Sequence, residues 1–423
     1  MLFCLACTKK HQTNEGRAEL RFWHSFVAST RPALQELIKR FEQEHPRITI
    51  REQYVPTGDA LIQKLITAVQ SKTAPDISWI HADFLDKLAQ SKSIYPISYF
   101  SEKDSLDFSK LCADIFPPLL AAGSWKDTLY ALPMEATALA LVYNKRLFRD
   151  AGLDPDFPPK DWEELKRFTV RLTRDSDGDG RIDQYGFYVP VLPPAGPYGI
   201  WMVLQWSPFL WQAGGRLIDA SQSHITFNSI AGRQALTLWK DLYRMQKLER
   251  FSQAHDMGFV SGTLAMIIDG PWNLPVYRRA KQLEWGVAAL PAGPQGRATY
   301  LAGEQLVIFR QTKIPDEAWT FVRWILQSDV QAQFSIASGY LPVRRSVRSM
   351  PVYQEFLDSD RALRVFVDQM DEARERERID INRVEINRCV AEAIEAAIRG
   401  DLDAQQALDQ AAEKAEKYLK NIQ

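Results

Sequence analysis

Several features that mark large functional classes are missing from this sequence. No run of about 18 apolar residues occurs, so no segment is suited to cross a bilayer as a helix. Lys and Arg number 52 against 53 Asp and Glu, a formal net charge of −1. That balance gives no global basic field to draw nucleic acid or anionic lipid, and no nucleic-acid partner is expected. There is no GxSxG, HExxH or Walker loop, and the six His are scattered, so the common hydrolase, zincin and nucleotide-binding signatures are excluded. Cysteine is scarce: Cys4, Cys7, Cys112 and Cys389 in 423 residues. Cys4 and Cys7 form a CxxC, but no second Cys or His pair stands at zinc-finger spacing. Whether Cys112 and Cys389 meet is a matter of geometry that spacing leaves open.

Aromatic residues, by contrast, are plentiful: 12 Trp, 14 Tyr and 21 Phe. Most must be core, since such rings dominate buried area, but Trp also stacks on the flat apolar face of a sugar. A chain of 423 residues exceeds one compact core and suits two lobes of roughly 150–250 residues each.

The first part of the chain alternates strand and helix patterns. Glu19–Trp23 reads as a strand. Ser29 or Thr30 caps a helix with Pro32 in its first turn and Leu34, Leu37, Ile38 and Phe41 at helical spacing. His45-Pro46 ends it. Ile48, Ile50 and Tyr54 alternate as a strand, Leu61, Leu65, Ala68 and Val69 form a second helical stripe, and Ile77–Ile80 is a third strand. This β-α-β-α-β order predicts a largely parallel, helix-covered sheet. Ligands bind at the carboxyl ends of such strands, here Trp23-His24-Ser25, Tyr54–Gly58 and His81-Ala82-Asp83. Further on, Leu192–Pro197 is a Pro-rich loop. Trp201, Trp206 and Trp211 recur every five residues, a spacing that drifts around a helix, and Gly214-Gly215 breaks it. The charged stretch Asp371–Asp380 reads as a solvated helix face. Val384–Gln423 reads as two helices separated at Gly400, with Asp403 and Gln406 as a capping box.

Asp175, Asp177, Asp179 and Asp183 occupy positions 1, 3, 5 and 9 of an EF-hand-type loop, with Gly180 at position 6. Position 12 is Gly186, so the usual bidentate Glu is missing. A structural calcium is the candidate occupant, and no other cofactor is expected to be required. An acidic turn without metal is the plainer reading.

Two resemblances add to this. Leu5-Ala6-Cys7 followed by the polar segment Thr8–Gly16 resembles the lipobox of a bacterial lipoprotein, with Cys7 as the lipidated residue, although Cys4 stands where Leu is usual. Separately, YALPMEATALALVYNKRLF (Tyr130–Phe148), GTLAMIIDGPWNL (Gly262–Leu274) and WGVAALPAGPQGRATYLAGEQLVIF (Trp285–Phe309) occur in order, with FWHSF (Phe22–Phe26) and SGYLPVRRS (Ser338–Ser346). Together they resemble the extracellular solute-binding proteins of carbohydrate ABC importers, the group that includes maltose- and glycerol-3-phosphate-binding proteins.

The resemblance implies a periplasmic-binding-protein-like α/β fold of two lobes with a ligand cleft between them. Residues 1–17 would be the signal remnant and tether, 18–134 with 290–326 the first lobe, and 135–289 with 327–423 the second. Crossings would lie near Pro133–Thr137, Trp285–Leu290 and Leu326–Val330. The implied ligand contacts are Trp23, Ser25, Asp83, Glu135, Trp211, Gly270, Trp272, Gly303, Glu304 and Arg344. Carboxylates accept hydroxyl protons, Arg donates a fork, and Gly admits a close backbone N–H. The expected function is capture of a sugar, oligosaccharide or related polyol by an exported, lipid-anchored monomer, in the periplasm or on the outer face of the cytoplasmic membrane, and delivery to ABC permease subunits. A sensing receptor lobe and, more remotely, a two-carboxylate glycosidase are the competing readings. The stretch Asp371–Arg383 departs from the family pattern in being highly charged and free of proline.

Overall fold

Apolar residues on both faces make Ala18–His24 (β1) a central strand, with Leu20, Phe22 and His24 fully buried. In the computed structural model, which describes residues 17–56, 58–102, 105–192, 199–371 and 373–420, β1 pairs in parallel with Ile48–Tyr54 (β2) and with Ile77–Ile80 (β3). Helices Arg31–Glu44 and Gly58–Gln70 make the crossovers that parallel pairing requires. The β-α-β-α-β reading therefore holds. Thr30 is the N-cap of the first helix without a side-chain cap bond, and His45 ends it. The sheet is completed from distant sequence. Gln305–Ile308 (β10) runs antiparallel between β3 and the short strand Leu132–Pro133 (β6), giving the order β2-β1-β3-β10-β6. The sheet is thus mixed rather than all parallel, because β10 arrives from chain returning across the molecule.

A hairpin, Ser124–Trp125 (β4) and Thr128–Leu129 (β5), stands beside this sheet. Its two turn residues, Lys126 and Asp127, both have positive φ, 45° and 62°, as a tight two-residue hairpin demands. The second sheet is wholly antiparallel. Ala140–Asn144 (β7) lies between Met266–Asp269 (β8) and Trp285–Ala288 (β9). Its lobe is mostly helical. Helices Ile200–Gln212, Ile230–Met245, Arg383–Arg399 and Ala404–Lys420 pack on one another around Trp206, Phe209, Trp239 and Ile394. Gly400 ends the third of these with φ 90°, and the Asp403 carboxylate accepts from Gln406 N at 2.9 Å to start the fourth.

The chain crosses between sheets at 134–139 and 289–304, where bridges Ala136–Leu341 and Thr137–Ala302 fasten the passages together. Two sequence expectations require correction. Helix Ser328–Ser338 packs on helix Arg31–Glu44, with Arg40 paired to Asp329, and Gln331 Nε2 donates to Met134 O at 2.9 Å. Helix Arg361–Asp368 is the first later element to pack on β9. Residues 327–359 thus lie with the first sheet, and the third passage falls near Asp360 instead of Leu326–Val330. Residues 373–382 form no helix. Their charges find partners in other elements, which outweighs the weak i,i+4 pairing of an exposed helix.

Cys112 and Cys389 are both free thiols. Cys4, Cys7 and most of the loop Leu192–Pro197 lie outside the described residues. No helix among the described residues is long and apolar enough to cross a membrane. Phe22 sits at 0% exposure, its ring edge-on to Phe321 at 5.8 Å. Phe22→Ala should cost about 3–5 kcal/mol, checked by urea unfolding. A cost under about 1 kcal/mol would place the core elsewhere.

Candidate functional site

The two sheets leave between them a cavity of about 220 Å³, lined from both lobes, the crossings and the stretch 375–383. Its walls are aromatic. Trp79 leaves β3, Trp125 leaves the β4–β5 hairpin, and Trp201 leaves the buried helix of the second lobe. Trp272 meets Trp201 edge-on at 5.6 Å and lies 6.3 Å from the Tyr340 ring. Its turn is built by Asp269, a fully buried carboxylate at the end of β8. Asp269 accepts from Gly270 N at 2.8 Å, Asn273 Nδ2 at 2.9 Å and the Tyr277 hydroxyl. Burial pushes its carboxyl above the usual range in spite of these donors. Gly270 is needed because a Cβ there would come within 1.9 Å of the Trp272 ring. The ring can fold toward the cavity only over a residue without a side chain.

Asp83 follows β3 and is 1% exposed. Arg376 donates to both its oxygens at 2.9 and 2.8 Å, Arg383 Nε at 3.1 Å and Asn387 Nδ2 at 2.7 Å. Burial opposes ionisation, but the two guanidinium groups outweigh it and hold this carboxyl far below the usual range. Arg376, Arg383 and Asn387 belong to the strap and helix of the second lobe, so Asp83 joins the lobes. Lys87–Glu385 and the Trp125 Nε1 bond to Asp380 O at 2.8 Å repeat that joining nearby. Arg378, also on the cavity wall, is held by Asp380 at 2.8 Å and Asp127 at 3.2 Å. Glu304 accepts from His81 Nδ1 at 3.1 Å. Burial works against the charge on His81, yet Glu304 keeps its pKa above the ordinary value.

Of the residues expected from sequence, Ser25, Asp83, Trp272, Gly303 and Glu304 line the cavity. Ser25 donates its hydroxyl to Val55 O at 2.8 Å. Gly303 is required by packing, since a Cβ there would lie 2.0 Å from Glu135 O. The other five are placed elsewhere. Trp23 lies under Lys64, whose Nζ is 4.1 Å from the ring centroid, because successive strand residues face opposite ways and its neighbours take the inner side. Glu135 is fully buried behind the wall. Trp211 is buried and donates to Glu377 at 2.7 Å. Gly270 acts through Trp272. Arg344 donates to Asp114 at 2.6 Å and to Leu326 O at 3.0 Å, on another face. Sequence reasoning missed Trp79, Trp125, Trp201, Tyr300 and Tyr340. The drift of Trp201, Trp206 and Trp211 was the one available signal. About 100° per residue separates neighbours by about 140°, and only Trp201 reaches the cavity.

The acidic loop brings Asp175, Asp177 and Asp183 together, with one oxygen of each within 4.8 Å of the others, and leaves Asp179 out. Asp179 accepts from Arg181 N at 2.7 Å instead. Asp175 accepts from Gly178 N at 2.7 Å and Gly180 N at 2.8 Å, and these bonds, Gly180 first, lower its pKa.

Two lobes around an aromatic, hydrogen-bonding cleft define a protein that captures a small solute. The sequence profile of the bacterial extracellular solute-binding proteins matches residues 36–358, and the chain belongs to that family. The family consists of exported binding proteins, not enzymes. The sn-glycerol-3-phosphate-binding periplasmic protein UgpB of Yersinia pseudotuberculosis is 22% identical, over 99% of this chain and 97% of its own. The crystal structure of the cyclic alpha-maltosyl-1,6-maltose binding protein of Arthrobacter globiformis superposes with a TM-score of 0.78 at 27% identity, covering 96% of this chain and 100% of its own. An ABC transporter solute-binding protein of Thermotoga lettingae bound with alpha-D-tagatose gives 0.82 at 25% identity, covering 95% and 100%.

Removing Asp83 strands two buried guanidinium groups. Asp83→Ala should destabilise the protein by about 3–5 kcal/mol at neutral pH. Because the folded-state pKa is depressed, the wild-type advantage is present above the ordinary aspartate value and is lost as pH falls below it. Denaturant titrations of both proteins at pH 7 and in acid check this, and an advantage independent of pH would contradict it.

Proposed function

We propose that this chain is the capturing subunit of an ABC importer and that its ligand is a carbohydrate or related polyol, handed on to membrane permease subunits. The observation that carries the reading is the cavity wall. Trp79, Trp125, Trp201 and Trp272 surround Glu304 and Ser25, so flat apolar faces alternate with groups that bond hydroxyls, the composition a sugar ring requires. The sugars named for the Arthrobacter and Thermotoga proteins support the same reading, and the glycerol 3-phosphate of the Yersinia protein keeps a polyol phosphate among the candidates. The protein acts as a monomer without catalysis, tethered through lipid on Cys7, outside the described residues. A ligand touching both lobes binds the closed arrangement better and shifts the population toward it.

The ligand can be found by thermal shift over tagatose, maltooligosaccharides, glycerol 3-phosphate and glycerophosphocholine. A ligand at a hundredfold excess over its Kd stabilises by about 2.7 kcal/mol. Sugars should raise the melting temperature, and Trp272→Ala should weaken the best of them by about 2–4 kcal/mol with the fold intact. Equal affinity in the variant would remove Trp272 from the site, and turnover of the sugar would replace binding by catalysis. We also propose a structural calcium held by Asp175, Asp177 and Asp183, bracing the second lobe. Chelator should then lower the melting temperature and calcium restore it, since metal that binds only the folded state stabilises it. An unchanged curve in chelator would leave the loop as an acidic turn.

A further inference from the structure

Behind the cavity wall two glutamates are forced together by backbone. Met134 N donates to Glu304 O at 2.9 Å and Thr137 N to Ala302 O at 2.6 Å. Pro133 is the register partner of Gln305, and Gly303 has no room for a Cβ against Glu135 O. These contacts fix the residues on either side of Glu135 against those on either side of Glu304, so the two side chains cannot separate without opening the crossing.

Glu135 is 0% exposed. One of its oxygens is 3.4 Å from Trp79 Nε1, while Oε2 has no hydrogen-bond donor among the described residues. What it does face is the Glu304 carboxyl, another acceptor. Two acceptors in contact, one fully buried and the other shielded on that side, cannot both be ionised, and a proton between them turns a repulsion into a hydrogen bond. Glu304 is different on its outer side. It opens to the cavity and accepts from His81. The other titratable groups around the pair are Tyr300 on the Glu304 segment and Tyr340 after helix Ser328–Ser338; beyond them, Arg376, Asp83 and Asp269 act on Tyr300, Asp269 also on Tyr340, and Asp83 and Asp59 on His81. Among these, His81 alone hydrogen-bonds Glu304 and can carry a positive charge there, while Arg376 is taken by Asp83, so the negative charge belongs on Glu304 and the proton on Glu135. Burial and the Glu304 charge accordingly raise the Glu135 pKa well above the usual value. Burial also works against ionisation of Glu304, but bonds from His81 and Glu135 keep its pKa low.

We propose that Glu135 is a positioning residue that never touches the ligand: it shares one buried proton with Glu304 and so fixes Glu304 as the ionised, oriented acceptor of a ligand hydroxyl. This rests on reading the cavity as the solute site, but its test uses the ligand-free protein and stands apart from that reading. Three measurements decide it. The infrared difference spectrum, wild type minus Glu135→Gln at neutral pH, should contain the carbonyl stretch of a protonated carboxylic acid, which separates Glu135 from other buried carboxyls such as Asp269. The His81 pKa, followed by NMR with ¹⁵N-labelled histidine, should fall in Glu304→Gln, which removes the anion, and stay as in wild type in Glu135→Gln. Finally, a raised folded-state pKa gives stability that is lost as pH rises toward it. The melting temperature of Glu135→Gln should therefore match wild type below the ordinary glutamate pKa and exceed it increasingly as pH rises above that value, whereas Glu135→Leu, which cannot donate to Glu304, should lie below Glu135→Gln throughout. A difference spectrum without an acid carbonyl band, a His81 shift as large in Glu135→Gln as in Glu304→Gln, or melting curves for wild type and Glu135→Gln that stay parallel across pH would each overturn the shared proton.

Discussion

One buried carboxylate, Asp83, joins the two halves of this protein. It leaves the first sheet at the end of β3 and is met there by two guanidinium groups and an amide from the second lobe. A carboxylate so placed is stable only while all its partners are present. The strap 373–382 must therefore run across the cleft, and helix Arg383–Arg399 must present Arg383 and Asn387 toward the first lobe. With the strap in place, Ile379 and the paired Arg378 close one side of the cavity. In this arrangement the aromatic walls face each other across the cleft.

Charge in the cleft is arranged so that little of it is free. Arg376 and Arg383 are taken by Asp83, and Arg378 by Asp380 and Asp127. Glu304 answers His81. What remains for a solute is aromatic surface with a few oriented acceptors. That combination favours uncharged polyhydroxylated molecules, because an anion would have to displace a carboxylate already paired with the arginine it reached.

Much of the first lobe was legible in the sequence. Its strands carry apolar runs, and Pro32 and His45-Pro46 mark where the first helix begins and ends. The antiparallel β10 was not, since nothing local in Gln305–Ile308 tells which way it will run. Of the site, Trp272 and Glu304 were reachable through the family resemblance. Trp125 was not, because a Lys-Asp turn does not advertise the positive φ angles it adopts. Arg376 and Arg383 were hidden for another reason: a run of alternating charge looks solvated until a buried acid on another element claims it. Trp23, Trp211 and Arg344 have types that fit a sugar site, but their direction takes them off the cavity wall.

The most direct measurement is a crystal structure of the protein with a bound sugar. The ring should stack on Trp272, with a hydroxyl on the Glu304 carboxylate and Asp83 still held by Arg376, Arg383 and Asn387. A sugar bound outside the cleft, or one that takes Arg376 away from Asp83, would contradict the arrangement described.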